Sequence, residues 1–192
     1  MKKEKKKLYI VRHGQSFFNR SKRFTGWIDS RLTKKGKKQA EKVARDLKEV
    51  KIDLAYVSSL SRAEETLKAI LKHHPEVKVI EDDRIIERNY GELSGKYHSS
   101  YIKKKPKLFW VYRRSYDVPP PGGESIKQVE ERVMPFLEEV IEKIKKEKIN
   151  VLIVAHGNSM RPMRRQLEKL SVEEMMKLEN AWDKAYVYEF EV

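Results

Sequence analysis

Two histidines stand at the ends of two short apolar runs. Leu8-Tyr9-Ile10-Val11 leads into Arg12-His13-Gly14-Gln15-Ser16, and Val151-Leu152-Ile153-Val154-Ala155 leads into His156-Gly157-Asn158-Ser159. A neutral imidazole can attack phosphorus and hold the phosphoryl group as a phosphohistidine, dividing one transfer into two easier ones. The moving group spreads negative charge over its oxygens, so guanidinium and N–H donors around them lower the barrier. Arg12 adjoins His13. Arg62 falls in the first turn of a helical pattern just past a strand, where backbone N–H groups also favour an anion. Arginine's planar fork of donors suits phosphate oxygens, and a protonated His156 would add another donor. A proton must also reach the leaving oxygen. Glu87, within Glu87-Arg88-Asn89-Tyr90-Gly91-Glu92, is the candidate acid and base. Arg113-Arg114, among Trp110, Tyr112 and Tyr116, is a candidate second anion site.

Every one of these residues has a plainer reading. Paired histidines also bind metals, although carboxylate ligands at a helpful spacing are missing near both. Arg62 and Glu87 could be surface charges, and Arg113-Arg114 could equally contact a phosphate backbone.

The elements that must position these groups alternate strand and helix, the α/β signature. Strands are expected at about Lys7–Val11, Leu54–Val57, Val77–Ile80, Val151–Ala155 and Ala185–Phe190. After Thr33, Ala40, Val43, Ala44, Leu47 and Val50 recur at helical spacing. Capping boxes, Ser61 with Glu64, Ser125 with Gln128 and Ser171 with Glu174, open three further helices. The second of these is the longest, and Pro135 inside it is a potential kink. A helix is also expected over about Ser159–Leu170. Residues 82–123 are richer in aromatic and basic residues and end in Pro119-Pro120-Pro121-Gly122-Gly123; they read as an insertion of short helices over the active edge of the sheet. In open α/β sheets ligands bind beyond the carboxyl ends of the strands, where both His-Gly pairs fall.

The 192 residues suit one domain, 1–192. The absence of cysteine excludes disulfides and thiolate metal sites. The formal net charge is +14, but acidic residues are interleaved with many of the lysines. That pattern reads as solvated faces with a mild attraction for small anions, with no nucleic-acid module. No apolar stretch approaches the ~20 residues needed to span a bilayer. The apolar run after the basic Met1–Lys7 segment is too short for a signal peptide. A cytoplasmic protein, monomer or homodimer, is expected, with Met1–Lys7 as a solubilising arm.

Arg12-His13-Gly14-Gln15-Ser16 with Asn19 resembles the signature of the histidine phosphatase superfamily. Within it, several blocks resemble the cofactor-dependent phosphoglycerate mutases: Phe24-Thr25-Gly26-Trp27, Ser59-Leu60-Ser61-Arg62-Ala63, Glu87-Arg88-Asn89-Tyr90-Gly91, Tyr112-Arg113-Arg114-Ser115-Tyr116-Asp117 and Ala155-His156-Gly157-Asn158-Ser159. The resemblance implies a three-layer α/β/α sandwich on a mostly parallel sheet, priming by 2,3-bisphosphoglycerate, interconversion of 3- and 2-phosphoglycerate, and no metal. It implies that His13 is the nucleophile. Arg12, Arg62 and His156 would hold the phosphoryl group, assisted by Asn19 and the Gly157 backbone, and Glu87 would move the proton. Thr25, Gly26, Arg88, Tyr90, His98, Arg113, Arg114 and Asn158 would bind the rest of the substrate.

The chain departs from the mutase pattern in four places. Pro121-Gly122-Gly123 replaces a long insert, and Asn89 stands where mutases usually carry His. His98 falls where they usually have a substrate lysine, with Lys96 as a possible substitute. The chain stops at Val192, without the tail that covers the pocket in larger mutases, so hydrolysis by water is expected to compete with transfer.

Overall fold

The apolar runs Leu8–Val11, Leu54–Val57 and Val151–Ala155 form strands buried on both faces, as a parallel sheet covered by helices requires. A computed structural model describes residues 4–192. Its strands are β1 (Lys5–Arg12), β2 (Leu54–Val57), β3 (Lys78–Glu81), β4 (Val151–Ala155) and β5 (Ala185–Glu191), in the sheet order β3-β2-β4-β1-β5. The first four are parallel, and β5 pairs antiparallel with β1. The helices are α1 (Phe17–Arg20), α2 (Lys34–Asp46), α3 (Ser61–Leu71), α4 (His98–Lys104), α5 (Pro106–Arg114), α6 (Ile126–Glu147), α7 (Met160–Glu168) and α8 (Val172–Lys177).

Side chains alternate between two helical layers with the period of two that a strand imposes. Leu8, Ile10, Leu54, Tyr56, Val151 and Ile153 pack with Val133, Phe136 and Leu137 of α6 and Met160 and Met163 of α7. Tyr9, Val11, Ala55, Val57, Leu152 and Val154 pack against Val43 and Ala44 of α2 and Ala63, Leu67 and Ile70 of α3. This is the three-layer α/β/α sandwich. The helices that follow β1 and β4 leave toward opposite faces, so the crevice between these neighbouring strands is a topological switch point.

Two expectations change. Strand β1 begins at Lys5, because Lys5, Lys6 and Lys7 pair with Glu191, Phe190 and Glu189 of β5. That part of the supposed arm is sheet, and residues 1–3 lie outside the described residues. Ser61 is not an N-cap. Leu60 occupies that position without a side-chain cap, and Ser61 is inside the helix. The Asp29 carboxylate accepts from both the Ser61 N–H (3.0 Å) and the Ser61 Oγ (2.8 Å), so a distant loop caps α3. The other two boxes form, and α6 continues through Pro135. Residues 82–123 carry two 3-10 turns, α4 and α5, the last buried through Phe109 against Phe24 and Leu93. Among the described residues no helix is long and apolar enough to cross a membrane.

Candidate active site

Register brings the two histidines together. Arg12 on β1 pairs with Ala155 on β4, and the His13 N–H donates to Ala155 O at 3.1 Å. The next residues, His13 and His156, therefore leave adjacent strand ends side by side. Their ring centroids lie 4.9 Å apart, tilted by 55°. The turn after His13 can close because Gly14 and Gly36 touch backbone to backbone. A Cβ on Gly14 would lie 2.3 Å from Gly36 O, and one on Gly36 would lie 2.1 Å from Gln15 O.

His13 is 1% exposed and His156 is fully buried. The His13 Nδ1 is 2.7 Å from Gly14 O. A carbonyl only accepts, so the proton sits on Nδ1 and the lone pair on Nε2. Burial, reinforced by Arg62 and Arg12, holds the His13 pKa well below its usual 6.5. The ring is neutral near pH 7, the form a nucleophile needs. Burial, then Arg62 and His13, depress His156 in the same way. His156 is thus a neutral donor rather than the imidazolium considered from sequence. Its Nε2 lies 2.6 Å from the Ser58 Oγ.

Arg62, also fully buried, is anchored by Gly26 O (2.8 Å) and Ile28 O (3.2 Å). Burial pushes its pKa down to about 10, against the pull of Glu87 and Asp29, so it stays cationic at neutral pH. Among the described residues, the buried Arg12 Nε, Arg62 Nε and His156 Nδ1 have no hydrogen-bond partner. Buried donors without partners are costly unless an anion satisfies them.

Glu87 completes the group. Its Oε1 accepts from the Arg88 N–H (2.8 Å) and the Asn158 N–H (3.1 Å). Its carbonyl is held by the Trp27 indole (2.7 Å) and by Arg132 (3.1 Å). Ligand atoms of His13, Glu87 and His156 lie within 4.8 Å of one another. The fold therefore supplies the carboxylate that sequence spacing did not show. The two guanidinium groups acting on the imidazoles favour an anion over a cation there.

A cavity of about 650 Å³ opens above this group. Asn19, Thr25, Glu87, Tyr90, His98, Arg113, Arg114, Gly157 and Asn158 line it, as does Arg12. Lys22, Arg23 and Arg161 line it too, and no role had been read for them from sequence. The Asn19 Oδ1 accepts from the Ser16 N–H at 3.0 Å, and the Asn158 side-chain amide donates to the Tyr90 hydroxyl at 3.3 Å. Two expected wall residues lie elsewhere. Gly26 acts through its carbonyl on Arg62. Arg88 is fully buried, donates from Nε to Glu124 O at 2.6 Å and lies over the Tyr90 ring. His98 lines the cavity and Lys96 does not. His98 Nδ1 faces the Arg113 guanidinium at 3.3 Å. Burial, Arg113 and Lys22 push the His98 pKa down to about 4. Around His98 the positive charge therefore comes from neighbours such as Arg113 and Lys22, not from the imidazole.

The three depressed imidazoles set a pH dependence of stability. Above pH 6.5 they are neutral in both folded and unfolded chains. Below it the unfolded chain takes up protons that the fold refuses, so stability falls as pH drops from 6.5 toward the folded His98 value of about 4. Denaturant unfolding at pH 7.5 and 5 is expected to show this loss. His98→Asn should reduce the difference between the two pH values; an unchanged difference would remove His98 from the effect.

The profile of the histidine phosphatase superfamily (branch 1) matches residues 8–192, and the chain belongs to that superfamily. More particular relatives carry the name 2,3-bisphosphoglycerate-dependent phosphoglycerate mutase. One, from Parvibaculum lavamentivorans, is 42% identical over 190 residues, 96% of this chain and 90% of its own length. Another, from Cytophaga hutchinsonii, is 42% identical over 185 residues, covering 95% and 87%. Among solved structures, a mycobacterial glucosyl-3-phosphoglycerate phosphatase superposes with a TM-score of 0.82 at 26% identity, covering 97% of this chain and 90% of that one. Bacillus stearothermophilus YhfR gives 0.85 at 24% identity, covering 95% and 90%, a likeness of fold alone.

Proposed function

We propose that this protein interconverts 3-phosphoglycerate and 2-phosphoglycerate through a phosphohistidine at His13, primed by 2,3-bisphosphoglycerate, as a cytoplasmic enzyme of one domain with 82–123 as its active-site insertion. The observation that carries this is a cavity that joins two cationic parts: Arg12 and Glu87 of the buried histidine group line it, and so do further cations. Arg12, Arg62 and His156 surround His13 with unpartnered donors. Lys22, Arg113, Arg114 and Arg161 stand on the wall of the same cavity. A monoester hydrolase needs only the first part. A mutase must keep hold of a doubly phosphorylated molecule while it turns over, and the second part provides for that. The names of the 42% identical relatives support the same reading.

The chemistry follows from the residues. His13 Nε2 attacks phosphorus as the P–O bond breaks, and the Glu87 carboxyl gives its proton to the leaving oxygen. Arg12, Arg62 and the His156 N–H meet the charge on the equatorial oxygens. In the reverse half-reaction the acceptor hydroxyl passes its proton to Glu87 and takes the phosphoryl group as the N–P bond breaks. No step requires a metal. 2,3-Bisphosphoglycerate fits as the primer because it brings one phosphate to each cationic part.

The test follows 3-phosphoglycerate with and without 2,3-bisphosphoglycerate, reading 2-phosphoglycerate and free phosphate together. Isomerisation stimulated by the bisphosphate is expected. Release of phosphate with no 2-phosphoglycerate would replace this reading with a hydrolase of another small phosphomonoester. Arg113→Ala should raise the KM for 3-phosphoglycerate about 10–100-fold, as loss of a charged hydrogen bond does. Hydrolysis of p-nitrophenyl phosphate, which has no second anion, should change little. Equal losses on both substrates would take Arg113 out of the second anion site.

A further inference from the structure

The Arg12 guanidinium is gripped by a turn that takes no direct part in the proposed transfer. Its Nη1 donates to Asn180 O at 2.8 Å, and its Cζ lies 4.6 Å from the centroid of the Trp182 ring. Gly157 backs another side: a Cβ there would lie 3.3 Å from Arg12 Nη2 and 3.4 Å from Cζ. The Nε is buried without a partner, so the Nε–Nη2 edge keeps the capacity to bind an anion.

The turn is itself pinned. Asn180, 6% exposed, donates from Nδ2 to Gly157 O at 2.8 Å and accepts at Oδ1 from Arg164 Nη1 at 2.9 Å. Arg164 is held by both oxygens of Glu168, at 2.7 and 3.1 Å. The Ala181 N–H donates to the Tyr186 hydroxyl at 3.0 Å. The grip on Arg12 is thereby tied to α7, to β5 and to the strand end that carries His156.

We propose that Asn180 and Trp182, in the turn between α8 and β5, are positioning residues that aim the Nε–Nη2 edge of Arg12 at the phosphoryl group on His13. An arginine side chain is long and has many rotamers. A carbonyl on one Nη, an aromatic face and a close backbone leave it one orientation. Donors already in place stabilise a transition state without reorganising when charge develops. The aromatic face attracts the cation without using a hydrogen bond that the phosphoryl oxygens need. This inference rests on His13 carrying the phosphoryl group, but not on which substrate supplies it.

The test uses the full chain, p-nitrophenyl phosphate as substrate and vanadate as probe. Trp182→Ala is expected to lower kcat about 10–100-fold and to weaken vanadate binding by a similar factor, while KM changes little. Trp182→Phe, which keeps an aromatic face, should recover most of both losses. Asn180→Ala should lower kcat in the same direction. If Trp182→Ala does not fold, Trp182→Leu keeps bulk, loses the π face and is read the same way. The inference is overturned if the alanine or leucine variant retains kcat and vanadate affinity, or if phenylalanine does no better than they do. Turnover surviving in His13→Ala would instead remove the nucleophile on which it rests, so the two failures are distinguishable.

Discussion

His13→Ala is expected to lose phosphoryl transfer by at least about 10⁴-fold, on every substrate, because no N–P bond can then form. The structure gives reasons why no neighbour takes over. His156, the other imidazole of the pair, has its Nε2 occupied at 2.6 Å by Ser58. His98 belongs to the outer wall, where its Nδ1 faces Arg113. Arg12 and Arg62 have anchors of their own, on Asn180, Gly26 and Ile28, so the anion pocket should survive the change. Vanadate or substrate should still bind the variant. Parallel assays of isomerisation and of p-nitrophenyl phosphate hydrolysis check the point. Surviving turnover of either would disprove the nucleophile assignment.

Glu87→Gln should lower kcat for phosphoglycerates about 10²–10⁴-fold, the range for loss of a general acid–base group. The substitution keeps an oxygen to accept from the Arg88 and Asn158 N–H groups, so the loop should hold its shape. What goes is the proton for the leaving alkoxide. The deficit should therefore shrink with a leaving group that needs no proton, such as p-nitrophenolate. A ratio of kcat values that is the same for both leaving groups would contradict proton transfer. It would leave Glu87 only its electrostatic support of Arg12 and Arg62, both of whose charges it favours.

The parts of this site that follow local rules could be read directly from the chain. Continuous apolar runs ending in His-Gly marked β1 and β4 and put both histidines at strand ends. The boxes at Ser125 and Ser171 formed because Gln128 and Glu174 sit in the same turn and need nothing else. Ser61 with Glu64 has the same spacing and failed, because Asp29, thirty-two positions away, competes for the Ser61 N–H and hydroxyl. Non-local geometry hid the rest. Glu87 is held by Trp27 and Arg132, and Arg132 also bonds the Glu124 carboxylate at 2.8 Å. Those partners come from three separate segments. Arg88 sits between two residues that line the cavity, Glu87 and Tyr90, yet turns to Glu124 O. Adjacency in sequence gave no sign of this. Lys22 reaches the cavity from a left-handed backbone conformation (φ 53°) that no motif announces. Trp182 meets Arg12 across 170 positions of chain, through the β1–β5 pairing.

The most direct measurement mixes the protein with 2,3-bisphosphoglycerate, quenches in base and locates protein-bound phosphate by peptide mass. The structure predicts base-stable, acid-labile phosphate on His13 alone, discharged when 3-phosphoglycerate is added. Phosphate on another side chain, or formation of 2-phosphoglycerate with His13 never modified, would contradict it.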